Sequence, residues 1–149
     1  MKTQAKQYQE SRILTAPKED LLVMLLEGAV RFAEQGKALL VEKKFEESCR
    51  LFIRTQRILV ELMSSLDEKL LGAPMHASLM SLYYFVYWRF VRASVDRSAA
   101  MADEGLKILD SLRETWTLAV EKDRKERRGG PSVPAVAPPA PAGGIDLGA

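Results

Sequence analysis

Apolar residues recur along this chain at three- and four-residue spacing, in four long blocks separated by short polar joints. That spacing predicts helices. The first block covers about 16–41. Thr15 is placed to cap it, Pro17 falls in its first turn, and Glu19 and Asp20 put acid near the positive end of the helix dipole. Two apolar stripes run side by side: Leu21, Leu25, Ala29 and Phe32 form one, and Leu22, Leu26, Val30 and Ala33 the other. Asp20, Glu27, Arg31 and Glu34 leave only a narrow polar edge, on which Glu27 and Arg31 have the i,i+4 spacing of a favourable ion pair. An ordinary surface helix has one apolar face. This one requires cover on a second side, either from deep burial in a bundle or from a partner. Gly28 in mid-helix costs about 1 kcal/mol relative to alanine, which predicts the close approach of another backbone.

The second predicted helix runs from about 45 to 66. Phe45, Cys49, Phe52, Gln56, Leu59, Met63 and Leu66 fall on one face, widened by Leu51, Ile58 and Leu62. Arg50, Arg54, Arg57 and Glu61 line the other side and read as a solvated row. Cys49, on the apolar stripe, reads as a small buried hydrophobe. Residues 67–73 form a connection, and Pro74 opens a third helix that extends to about 95. That helix holds Tyr83, Tyr84, Phe85, Tyr87, Trp88 and Phe90, six of the chain's eleven aromatic residues. The aromatics alone would also suit a strand, but the absence of two-residue alternation decides for a helix. Leu79, Leu82, Val86, Phe90 and Ala93 make its core seam. Tyr84, Tyr87, Trp88 and Val91 point elsewhere, either as an interaction surface or packed beneath neighbouring segments. The fourth helix, about 98–128, carries Ala102, Gly105, Leu109, Leu112, Trp116 and Ala119 as its seam. It ends in a charged run that Gly129-Gly130-Pro131 stops.

Four long helices with short joints predict an all-α fold, an antiparallel four-helix bundle. The bundle spans 15–128, between a short N-terminal arm (1–14) and a Pro/Ala/Gly-rich tail (129–149). Five of the seven prolines and five of the nine glycines lie in that tail, a composition that predicts no fixed structure. The arm is polar except for Ala5, Tyr8, Ile13 and Leu14. Tyr8, Ile13 and Leu14 lie just upstream of the stripe formed by Leu22, Leu26 and Val30, so the arm is expected to fold back over that stripe.

Composition narrows the chemistry. Twenty-two basic residues against twenty acidic give a net charge of only +2, which offers no case for a nucleic-acid partner. One cysteine and one histidine cannot form an internal disulfide or a Cys/His metal set. His76 has no evident nucleophile partner, and no glycine-rich phosphate loop is present. Catalysis, metal and cofactor are therefore not expected. The first fifteen residues lack an apolar core of the signal-peptide kind, and the longest apolar run, residues 82–88, is far short of a membrane span. A cytoplasmic protein without membrane insertion is the expectation.

Tyr8, then Ile13-Leu14-Thr15-Ala16-Pro17, then residues 21–32 (LLVMLLEGAVRF), resemble the opening of the FliS family of flagellar secretion chaperones. Ile58-Leu59-Val60-Glu61-Leu62 with Leu66-Asp67 is similar to the end of that family's second long helix. Leu82-Tyr83, Ala93, Leu109, Leu112-Arg113 and Thr115-Trp116 are similar to its last two helices. Leu26-Glu27 stands where the family usually has Tyr-Asp, and Tyr84 where an acidic residue is common. The resemblance implies an export chaperone that binds the disordered C-terminal segment of flagellin, prevents premature polymerisation and delivers it to the flagellar type III export gate. The expected client surface is Tyr8, Ile13, Leu14, Leu22, Leu26, Val30, Tyr84, Tyr87, Trp88 and Val91, on a monomer or weak dimer. The competing reading is a generic helical-bundle interaction module, or a homodimeric scaffold whose surplus apolar surface is its own interface.

Overall fold

The computed structural model describes residues 18–129, and all of its regular structure in that span is helical. Four long helices are present: α1 (Lys18–Val41), α2 (Phe45–Ser65), α4 (Ala73–Asp96) and α5 (Ala99–Gly129). A one-turn helix, α3 (Glu68–Leu71), lies between α2 and α4. The expectations for the N-terminal arm and for the tail beyond Gly129 fall outside the described residues.

α1 packs against α2 and α5, and α4 packs against the same two helices from the opposite side. The long helices thus form a ring in chain order, with short joints reversing direction at each corner. Each contributes one stripe to a shared core, in which Leu26, Ala33, Phe52, Leu59, Leu62, Val86, Phe90, Leu109 and Leu112 are fully buried. The core seam expected on α4 is the one found.

The centre of this core is a ring contact between α2 and α4. Phe52 and Phe90 lie with ring centroids 5.4 Å apart. Each is backed by a helical glycine. A Cβ on Gly36 of α1 would stand 2.7 Å from Cε1 of Phe52, and one on Gly105 of α5 would stand 3.2 Å from Cε2 of Phe90. Both glycines are therefore notches that admit a ring. Gly28, expected to mark close backbone approach, is not such a notch: a Cβ there would meet Ile58 at 3.5 Å, an ordinary contact.

The buried face of α2 is rotated from its expected position. Ser48, Phe52, Thr55, Leu59 and Leu62 are inside, while Cys49, Gln56 and Met63 are half-buried on one flank. Two hydroxyls explain the shift. Ser48 Oγ donates to the Gly36 carbonyl at 2.7 Å and Thr55 Oγ1 to the Leu51 carbonyl at 3.0 Å. Small side chains that bond to backbone satisfy their own polarity, so they can occupy the crowded line where a bulkier residue would not fit.

α3 was not expected. Asp67 accepts a hydrogen bond from the Lys69 N–H at 2.9 Å, capping the turn, and Gly72, with φ +84°, ends it. Ser98, where the last helix was expected to begin, does cap α5 by accepting from the Met101 N–H at 3.2 Å.

Two ion pairs clamp α1 to α5: Lys37 to Asp103 at 2.7 Å, and Asp20 to Arg124 at 2.7 Å. Lys37, then Lys107, hold the Asp103 carboxyl below the usual carboxylate range. Its contribution to stability is therefore complete above the unfolded-state value and fades as acid protonates it. Glu27 and Arg31 do not form the expected pair. Arg31 turns toward the Phe32 ring, 5.6 Å from its centroid, while Glu27 lies on the α5 side within electrostatic reach of Arg113. One core group is poorly served. The Tyr83 hydroxyl is buried without a partner of hydrogen-bonding geometry, and burial pushes its phenol strongly up, with Trp116 alone opposing the shift.

Gly36 and Gly28 differ in what alanine does to them. Gly36→Ala drives a methyl into Phe52 and is expected to destabilise by about 1–3 kcal/mol, the scale of core overpacking. Gly28→Ala is expected to be neutral or stabilising by up to about 1 kcal/mol. Chemical denaturation of the two variants checks the contrast, and equal effects would contradict the notch assignment.

Candidate functional site

α4 carries more apolar surface than the core uses. Arg89 sets its orientation: its Nη1 lies 3.3 Å from Glu104, and Gly105 packs against its Cβ, so the Arg89 flank faces α5. Two residues along a helix turn the direction by about 200°. Tyr87 and Val91 therefore lie on the other flank, toward α2. Tyr84 and Trp88 stand at the outer edge, 57% and 45% exposed. Trp88 is the centre of a small aromatic ladder. Its ring meets Tyr87 edge-on at 5.5 Å and Tyr84 at 6.1 Å.

α2 supplies the opposite wall. Its Arg54 and Ile58 reach α1, so its other flank faces α4. That flank begins at Phe45, whose ring lies under the Arg97 guanidinium at 4.0 Å. The contacts Phe45–Arg97 and Phe52–Phe90 fix an antiparallel register. Continuing it brings Ile53 level with Arg89, beside Trp88, and Val60 level with Leu82, two residues before Tyr84. Ile53 is 38% exposed and Val60 47% exposed, with Cys49 and Gln56 half-buried beside them. The result is a largely apolar groove along the outside of the α2–α4 pair, floored by Tyr87 and Val91, with Gln56 on its α2 wall.

Of the expected client surface, Tyr84, Tyr87, Trp88 and Val91 fall together in this groove. Leu22, Leu26 and Val30 do not. All three are buried in the bundle's own core, so the expectation that they form an open groove is corrected. The reason is the ring topology: α1 has a long neighbour on each flank, and its second stripe points between them. The stripe left partly open is the first, where Leu21 is at the edge of exposure and Met24 beyond it is exposed. Tyr8, Ile13 and Leu14 lie outside the described residues. Cys49 is half-buried at the groove wall, less enclosed than expected.

Ile53 and Val60 were missed by the sequence reading. Their signal is seven-residue spacing on the polar side of an otherwise arginine-rich face. It passed unnoticed because two apolar residues among charges resemble ordinary surface scatter.

Among the described residues no group of three or more His, Cys, Asp or Glu side chains is placed to hold a metal ion, and no helix is long and apolar enough to cross a membrane.

Residues 1–123 match the model of the family described as flagellar protein FliS. The chain belongs to the FliS family. It is 26% identical over 122 residues to the flagellar secretion chaperone FliS of Bacillus subtilis (strain 168), covering 82% of this chain and 90% of that protein. The match runs through α1, α2, α4 and most of α5, so it includes both walls of the groove. FliS is a chaperone family rather than an enzyme family, and its members work among flagellar proteins.

The two faces of α4 separate in mutation. Phe90→Ala empties a fully buried site and is expected to destabilise the bundle by about 3–5 kcal/mol. Trp88→Ala is expected to cost little stability and to weaken client binding. Thermal melts paired with a binding assay read both. Unfolding by Trp88→Ala with a silent Phe90→Ala would reverse the face assignment.

Proposed function

We propose that this chain is a cytoplasmic export chaperone that binds the disordered C-terminal segment of flagellin in the α2–α4 groove. Bound there, the segment is kept from polymerising and is handed to the flagellar export gate. The observation that carries the reading is the pair Tyr84 and Trp88, which stand exposed beside Ile53 and Val60, with Tyr87 in edge contact with Trp88 and half-buried against the core. An amphipathic segment that folds as a helix on binding lays its apolar side chains into such a groove. Large aromatics beside half-buried aliphatics are the residue types that dominate binding energy at protein interfaces. The chain's membership of the FliS family supports the same role.

Tyr8, Ile13 and Leu14 belong to the proposal as contacts that the N-terminal arm brings to the client. The stripe they were expected to cover is buried in the bundle's own core, so the client is the apolar partner proposed for them. Three such side chains can contribute about 1.5–3 kcal/mol each, offset in large part by ordering the arm.

Titration calorimetry of the full chain with the flagellin C-terminal segment tests the reading. A one-to-one complex is expected, with a negative heat-capacity change from apolar burial. Indifference to flagellin, together with a dimer that persists on dilution, would instead favour the homodimeric scaffold. Deletion of residues 1–13 is expected to weaken the complex several-fold. Undiminished affinity would remove the arm from the client surface.

A further inference from the structure

α2 has a second open flank, and its chemistry is different. On the side facing α1, the Arg54 guanidinium lies 5.5 Å from the Phe32 ring centroid, and Arg31 lies 5.6 Å from the same ring. The Arg31 guanidinium also reaches the surface of Gly28, beside Ile58 of α2. Two guanidiniums thus lie over a small apolar floor made by Phe32 and Ile58, with Gly28 buried beneath, while Arg57, one turn beyond Arg54, points outward into solvent.

These charges are not consumed within the fold. Among the described residues none of Arg31, Arg54 and Arg57 has a carboxylate within ion-pair distance, whereas Lys37, Arg50, Arg89, Arg92, Arg113 and Arg124 do. Glu27, the expected partner of Arg31, lies on the α5 side. Outside the described residues the sequence is poor in acid: residues 1–17 carry Lys2, Lys6 and Arg12 against Glu10, and residues 130–149 carry a single acid, Asp146.

We propose that the outer α1–α2 face, where Arg31 and Arg54 lie over Phe32 beside Ile58, is a docking site for an acidic amphipathic helix of a partner protein. Guanidiniums stacked on a ring are held in place, so they lose little freedom when they pair with a carboxylate. The apolar floor calls for one hydrophobic side chain between the carboxylates, which a peptide helix supplies and a phosphate backbone does not. A net charge of +2 likewise gives no extended positive field of the kind nucleic acids require. This site is separate from the aromatic groove, because the two lie on opposite flanks of α2.

The test uses the full chain and a fluorescent synthetic helix with glutamates at i, i+4 and i+7 around a leucine. Its all-glutamine counterpart, a DNA duplex and phosphatidylserine vesicles serve as competing probes. Anisotropy is expected to show binding of the glutamate helix that weakens with salt. The glutamine helix, and the glutamate helix against R31Q/R54Q, are expected to bind roughly tenfold or more weaker, the scale of one lost charge-assisted pair. Arg50→Gln, whose side chain pairs with Glu46 at 2.8 Å, is expected to change nothing. Equal binding of the two helices overturns the proposal without any variant having to fold. So does tighter binding of DNA or vesicles than of the glutamate helix. No flagellin enters this measurement, so its outcome is independent of the client reading.

Discussion

The contact between Phe52 and Phe90 constrains every other part of the bundle. Two rings at the centre of a four-helix ring occupy volume that the flanking helices must yield. Gly36 and Gly105 yield it, one on each neighbouring helix. Once α1 is held that close to α2, the next residue on the line must be small, and Ser48 fills that place by bonding to the Gly36 carbonyl itself. The rotation of α2 follows from that fit. It carries Cys49 and Gln56 out of the core and onto the wall of the groove. A surface feature is thus set by a packing decision at the centre.

Much of this was legible in the residues. The number of long helices, their approximate bounds and the seam of α4 follow from spacing alone, because apolar periodicity reports which side of a helix lies inward. The same signal could not rank the two stripes of α1. Both are apolar, and only the ring topology shows that Leu22, Leu26 and Val30 point between two neighbours. Nor could periodicity find Ser48 and Thr55, whose burial depends on backbone carbonyls that a sequence does not display. Gly28 and Gly36 looked alike in sequence, yet one faces open packing and the other a phenyl ring.

The candidate site was half visible. Tyr84, Tyr87, Trp88 and Val91 stood out because a helix with more aromatics than its core can hold must show some of them. Their opposite wall did not, because Ile53 and Val60 are modest side chains set among arginines. The arginine row of α2 was read as solvated, and Arg50, Arg54 and Arg57 are all exposed; Arg54 also lies, with Arg31 of α1, over one aromatic ring. α2 therefore separates two surfaces of unlike character, one aromatic and uncharged, the other cationic over a small apolar floor.

A core already closed around Phe52 and Phe90 has a kinetic meaning for the proposed role. Within the described residues the groove is presented without rearrangement of the core, so in the proposed complex the entropy of ordering falls on the segment that folds against it. In that complex, release is the segment's own helix melting, turn by turn, from a rigid wall, with no hinge in the core called for. Any agency that holds the departing segment extended, such as a narrow conduit, shifts the balance toward release while the carrier itself stays folded.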